Sequence, residues 1–258
     1  MIARIWHIAA NTFREAVRDR VLYNLVFFAL LMVGSAPLFG KISIGVERIV
    51  LVNLGLTAIS IFGVVIAIFI GIGLVSKEID KRTLYTVLSR PVRRWEFLFG
   101  KYFGLAGTLV VNAFFMTIGL FLALLYVNQK LQADDLHILT AVYFIILQFF
   151  MIVALTLLFS TFSSPIFAAL FAFAMFVIGS LVDDLRGFGY MADGLQRYAV
   201  LGLSYIVPDF SALNIIAETA HQKTVTGTVV LQNTVYAILY CAVALSAAVM
   251  IFERRDMK

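Results

Sequence analysis

Fifteen carboxylates, three histidines and one cysteine are the side chains from which catalytic or metal chemistry could be built in this 258-residue chain. Their spacing builds none. His7, His137 and His221 fall on three distant segments, with no H-E-x-x-H pair and no other metal-ligand spacing. No metal site and no catalytic residue is therefore assigned, and no Ser/His arrangement can be assembled. Asp183 and Asp184, with Asp193 nearby, form an acidic group; they either hold a cation or serve as solvated anchors at a helix end. A phosphate-binding loop would need G-x-x-x-x-G-K-[ST]. The nearest approach, Gly34 to Ile42, has five residues between its glycines and Ile42 after Lys41, and Gly71-Ile72-Gly73 sits at a helix end. Cys241 is the lone thiol, so no intrachain disulfide exists, and it reads as a small packing residue.

The residues with the sharpest spacing suit docking rather than bond-making. They run from Glu78 to Arg94. Leu84, Val87 and Leu88 stand at i, i+3 and i+4, which gives a helix one apolar face. Asp80 with Thr83 can cap its start, and Pro91 stops it near Arg90. Six basic residues lie between Lys77 and Arg94. Placing Arg or Lys at the centre of a bilayer costs about 2.5–3.5 kcal/mol each, so a helix over 78–90 stays outside lipid. Such a helix can seat its apolar side in a partner's groove, with Glu78, Asp80, Arg90, Arg93 and Arg94 fixing register, and pass the partner's motion into the chain. The alternative is a charged turn that only sets topology.

The elements that position this segment follow from composition. The chain is 62% hydrophobic and 14% charged, against about 45–50% and about 25% in soluble domains. The windows 21–40, 49–76, 102–129, 138–182 and 224–252 contain no Asp, Glu, Lys or Arg. A helix crosses a bilayer with about 20 apolar residues, so four of these windows fit one crossing each. The fourth is too long for one, and its break from Ser160 to Pro165 divides it. The fold class is thus all-α, a single polytopic membrane domain over 1–258. Its six transmembrane helices are placed at 21–40, 49–75, 97–127, 138–160, 165–182 and 228–252. The windows are continuously apolar, not alternating, which excludes a transmembrane barrel.

Lys and Arg fix the orientation. Fourteen of the twenty fall on the side shared by both termini, the 77–101 loop and the 160–165 turn. Both termini are therefore expected in the cytoplasm. These charges flank membrane helices, so the basic balance does not imply nucleic acid. Residues 2–18 form an amphipathic helix with Ile2, Ile5, Trp6, Ala9, Phe13, Ala16 and Val17 on one face, expected either at the membrane interface or packed on protein. The 183–227 connection is external. Within it, Tyr198 to Pro208 is an apolar run too short to span, read as a re-entrant helix or as part of a small folded loop.

Asn53, Thr57, Ser60 and Asn112, with Gln148, are polar groups inside crossings; they line a substrate path or bond between helices. Gly63, Ala67 and Gly71, and Gly100 with Gly104, are small-residue stripes suited to close packing within the subunit or at a dimer seam. No crossing carries a charge in its middle third, which argues against proton-coupled transport.

The run Glu78…Thr83-Leu84…Leu88-Ser89-Arg90-Pro91-Val92-Arg93-Arg94-Trp95-Glu96-Phe97-Leu98-Phe99-Gly100-Lys101 resembles the first cytoplasmic loop of ABC-2-type transporter permeases, in particular those related to the nitrous-oxide-reductase maturation transporter. Arg82 departs from the small residue common there. The resemblance implies that residues 78–90 are a coupling helix seated on an ABC ATP-binding subunit. ATP and Mg are then bound by that subunit, and this chain carries no cofactor. It further implies pairing with a second permease copy, placement in a bacterial plasma (inner) membrane among its lipids, and export of a lipid-like or hydrophobic substrate by a subunit that is not itself an enzyme. Two other readings stay in view: a mechanical or signalling membrane subunit that moves no substrate, and a membrane-embedded enzyme, for which no clustered catalytic groups are found.

Overall fold

A computed structural model describes residues 2–18, 47–80, 93–129, 133–191 and 194–254, together with positions 23, 26, 27, 30, 31, 34, 35 and 38. The side chains of 74–80 are not among those described. Among the described residues there is no strand, and the helices are α1 (Ile2–Val17), α2 (Glu47–Asp80), α3 (Arg94–Asn128), α4 (His137–Phe162), α5 (Pro165–Ser180), α6 (Val182–Met191), α7 (Leu195–Ile206), α8 (Ile216–Ala220) and α9 (Gly227–Arg254). Long apolar runs take this form because a helix satisfies its own backbone where no water can.

Four helices are each long and apolar enough to cross a membrane: α2, α3, α4 and α9. At about 1.5 Å per residue, α2 and α3 are each about 50 Å long, well beyond a hydrocarbon core of about 30 Å. The expected fifth crossing differs in form. α5 has 16 residues, and the chain then bends by 58° into α6, so only the bent pair together has the length of a span. A second bent pair, Gln196–Ile206 with Ser211–Ala220, turns by 51°. The described residues thus hold four to six candidate spans. Most of 21–40, expected as the first crossing, lies outside the described residues; the eight described positions from 23 to 38 are helical.

α4 is the hub. It packs against α2, α3, α5 and α9 and is buried on nearly every side, which is why its sequence shows no polar face. α5 is its opposite, burying only Ala168, Ala172 and Gly179. The expected turn at 160–165 is realised one helical step later: α4 continues to Phe162, and Pro165 opens α5, where its missing N–H costs nothing.

The ends of the bundle are tied by polar groups. At the end remote from α1, Arg48 at the start of α2 holds the buried Asp135 through two hydrogen bonds of 2.8 and 3.2 Å, and a third reaches the Ala220 carbonyl at 3.4 Å. α6 and α7 pack together as a hairpin, turned at Gly194 with φ +64°, a backbone angle that glycine adopts without strain. The hairpin returns to its own root, where the Phe210 N–H donates to the Gly179 carbonyl at 3.0 Å. The irregular backbone there is covered as a membrane protein requires. The Asp209 carboxylate accepts from Ser211 Oγ and from the Ala212 N–H, and Arg186 bonds it at 2.6 Å. The Asp209 N–H donates to the Tyr236 hydroxyl at 2.8 Å, and Asn233 donates to the Ala212 carbonyl at 2.7 Å. Residues 198–208, read as re-entrant or as a folded loop, are therefore the return arm of this hairpin.

Both glycine stripes serve packing inside the subunit. A Cβ on Gly71 would press on Thr156 at 2.9 Å, and one on Gly63 would strike the Phe149 ring. Gly100 and Gly104 seat α1 on α3: a Cβ on Gly104 would lie 2.6 Å from both the Ala9 carbonyl oxygen and Thr12 Cβ. That oxygen belongs to helix backbone and cannot rotate away. Gly104→Val is expected to cost about 1–3 kcal/mol through overpacking. Gly202→Ala, in α7 where a Cβ meets nothing within 4 Å, is expected to be neutral or stabilising by about 0.5–1 kcal/mol. Thermal unfolding of the two variants in detergent checks the contrast.

Candidate functional site

The first two turns of α3 gather charges that a crossing helix cannot carry into lipid. The chain enters them from 81–92, and what it meets there decides where any force on that segment goes. Arg93 precedes the helix in extended geometry (φ −73°, ψ 148°), and its N–H donates to Glu96 Oε2 at 3.0 Å. This occupies one of the amide hydrogens that a helix start leaves unpaired. Glu96 is only 3% exposed, and Arg4 of α1 stands 3.9 Å from it.

Arg94 reaches the other way. Its Nη1 donates to the carbonyl oxygens of Phe252 at 2.7 Å and Glu253 at 3.0 Å, at the C-terminus of α9. The last four carbonyls of a helix have no intrahelical donor and carry partial negative charge, so a guanidinium there is favourable twice over. The guanidinium also lies 5.8 Å from the Phe252 ring centre, and that ring stacks on Phe97 at 6.3 Å.

Lys101 is the third anchor. It is 1% exposed, with Nζ 4.0 Å from Glu15 Oε2 of α1 and 5.6 Å from the centre of the Phe97 ring. Two ion pairs and the Arg94 hydrogen bonds therefore leave eight residues of α3 for two other helices. Beneath them α1 lies along α3, with Ile5 and Ile8 at Gly100, Ala9 and Thr12 at Gly104, and Phe13 at Gly107. Successive turns of both helices meet in the same order, so the two run in the same sense.

The residues singled out for docking divide into three sets. Arg93 and Arg94 are in this junction. Glu78 and Asp80 belong to the last turns of α2, which continues unbroken to Asp80. Thr83, Leu84, Val87, Leu88, Arg90 and Pro91 lie outside the described residues. The polar groups considered for a substrate path are also separated. Asn53 is exposed and Thr57 half-buried on one face of α2. Ser60 continues that face but is buried, and Gln148 of α4 donates to it at 3.1 Å. Asn112 is buried on α3, and its Nδ2 has no hydrogen-bond partner among the described residues. Asp183 pairs with Arg186 at 3.5 Å, Asp184 is exposed, and Asp193 lies outside the described residues. Among the described residues no three His, Cys, Asp or Glu side chains gather to hold a metal.

Sequence reasoning gave Arg94 to the docking segment and counted Lys101 only as a loop charge, and it missed the partners of both. The one local signal was the Arg93/Glu96 spacing of a capping box. The links to Glu15 and Phe252 join distant parts of the chain and leave no local trace.

A family model described as ABC-2 family transporter protein matches residues 6–257. No curated protein matches the chain.

Arg94→Ala is expected to release the α9 carbonyls. Hydrogen bonds from a charged donor contribute about 1.5–3 kcal/mol when buried; this pair is partly exposed, so about 1 kcal/mol is expected. Amide hydrogen exchange in the last turn of α9 should quicken about fivefold, while exchange in α4 stays unchanged.

Proposed function

Because the chain belongs to the ABC-2 family of transporter proteins, we propose that it is the membrane permease subunit of an exporter driven by a separate ABC ATP-binding subunit. The segment 78–90, with Glu78, Asp80, Thr83, Leu84, Val87, Leu88, Arg90 and Pro91, docks on that subunit. The partner binds ATP and Mg; this chain contributes no catalytic group. The observation that carries the reading is the anchored start of α3. The docking segment joins α2 to α3, and the first turns of α3 are bonded to α1 through Glu96 and Lys101 and to α9 through Arg94. A push on the segment is thereby delivered to four helices at once rather than absorbed in a slack loop.

The permease works as a pair of like chains in a bacterial plasma membrane with both termini in the cytoplasm, an orientation supported by the excess of Lys and Arg at that end. Asn53 is exposed, with Thr57 half-buried below it, beside the exposed Leu54, Ile61 and Phe69 of α2. A mainly apolar wall with a few polar groups suits a lipid-like or hydrophobic substrate.

The chain expressed with its ATP-binding subunit should purify as a complex in mild detergent and show ATP-dependent substrate movement in liposomes. Glu78→Lys combined with Leu84→Asp should abolish both association and stimulated ATP hydrolysis. Retention of both activities by the double variant rejects the docking role. A complex that hydrolyses ATP yet moves no lipid-like substrate rejects export in favour of a mechanical subunit.

A further inference from the structure

Side-chain bonds between helices hold one part of the bundle and pass another by. Lys101 and Glu15 join α3 to α1, Arg94 joins α3 to α9, and Gln148 and Ser60 join α4 to α2. Tyr143 and Thr234, their oxygens 2.7 Å apart, join α4 to α9. Arg48 adds α8 and the 133–136 turn to the same body. α5 takes part in none of these bonds. Its one polar side chain, Ser180, donates to the Phe176 carbonyl of its own helix at 2.8 Å. What α5 buries is Ala168, Ala172 and Gly179. In lipid, apolar burial gains little, and helices are held by close packing and polar contacts. The chain is also extended at both limits of this region. Ser163 (φ −117°, ψ 165°) and Ser164 (φ −71°, ψ 161°) precede α5, and Val207 (φ −73°, ψ 140°) follows α7. Past Pro208 the chain is fixed again. Phe210 and Leu213 enter the core, and the Asp209 N–H and Ala212 carbonyl are bonded to Tyr236 and Asn233 of α9.

We propose that α5, α6 and α7 form a strap that swings away from α4 about these two extended links, and that Arg186 with Asp209 is the clasp that holds it shut. Hinges are short connections that absorb changes of φ and ψ while packed helices move as bodies. Among the described residues, two polar bonds fasten the strap to the fixed body. Arg186 of α6 bonds Asp209 at 2.6 Å, and the Phe210 N–H donates to the Gly179 carbonyl at 3.0 Å. The first joins two charges and is the stronger. Arg186 is partly exposed, so water replaces its partner when the clasp opens. The outer side of α5 already meets the surroundings through Ile166, Leu170 and Phe173. Swinging therefore uncovers mainly the small side chains of the seam. In the proposed permease, opening gives a lipid-like substrate a sideways path between α4 and α5. The inference rests on that reading only for this use.

Distances between paired spin labels, measured on the full chain alone in lipid nanodiscs, test the strap. In a Cys241→Ser parent, labels at Phe173→Cys on α5 and Leu239→Cys on α9 replace exposed side chains. Dilution with unlabelled chain leaves only distances within one subunit. Arg186→Gln should give a second, longer population about tenfold larger than in the parent, the size set by a charged hydrogen bond that is partly exposed. Arg186→Lys, which keeps the charge, should stay close to the parent. Labels at Phe114→Cys on α3 and Leu239→Cys, both exposed positions, should keep one unchanged distance throughout. Equal distributions for the parent and Arg186→Gln overturn the proposal. A lysine variant as open as the glutamine one overturns it too, since the charge is then no clasp. So does broadening of the α3–α9 distance, which would make these residues a brace of the whole bundle. No ATP-binding subunit is present, so failure of the docking reading leaves the distances standing. Unchanged distances reject the strap while association and ATP hydrolysis of the complex remain.

Discussion

Glu96 and Lys101 sit in the first two turns of α3 with 3% and 1% of their surface exposed. Charges so deeply covered carry a desolvation cost of several kcal/mol each unless other charges and dipoles replace water. Here the replacements come from elsewhere in the chain: Arg4 and Glu15 on α1, and the backbone N–H of Arg93. The requirement to satisfy these groups forces α1 onto α3. Arg94, one step earlier, brings in the end of α9. The arrangement of this end of the bundle is thus a consequence of where α3 is allowed to begin.

Close approach makes that requirement feasible. In lipid, apolar surface gains little by burial, so helices associate through packing and polar contacts. Gly100 and Gly104 remove the side chains that would hold α1 away, and the ionic contacts need that proximity to form. The same device recurs deeper in the bundle, where Gly63 and Gly71 of α2 admit Phe149 and Thr156 of α4. Small residues at four-residue steps therefore join helices of one subunit, leaving the large exposed apolar groups of α5, such as Ile166, Phe167 and Leu170, for the surroundings.

The far end solves a different problem. A chain that turns back within reach of a membrane exposes backbone groups that must be paired. Asp209 does most of this, accepting from Ser211, Ala212 and Arg186 while its own N–H is taken by Tyr236. The α6–α7 hairpin is consequently fixed at its root, and the 58° bend after α5 is held by packing at Gly179 as well as by the chain's own geometry.

The long apolar windows fixed in advance the helices α2, α3, α4 and α9, because only an internally bonded helix can be apolar for that length; the break at Ser160 to Pro165 was equally legible, since proline and its preceding residue restrict the backbone locally. The docking segment could be read as unable to enter lipid from charge alone. Other features were beyond reach. Periodicity gave α1 an apolar face but not that Ile5, Ile8, Ala9 and Thr12 face protein while Trp6 faces outward. Ser60 looked like Asn53 in sequence, yet one bonds Gln148 and the other is open. The bend at Leu181, which ends the fifth helix at 16 residues, falls at the edge of the charge-free window and leaves no proline or charge to mark it. Local sequence determined what each segment could not do in lipid. The tertiary structure alone decided which partner each charge and polar group met, because those partners lie up to 172 residues away and are brought together only by packing.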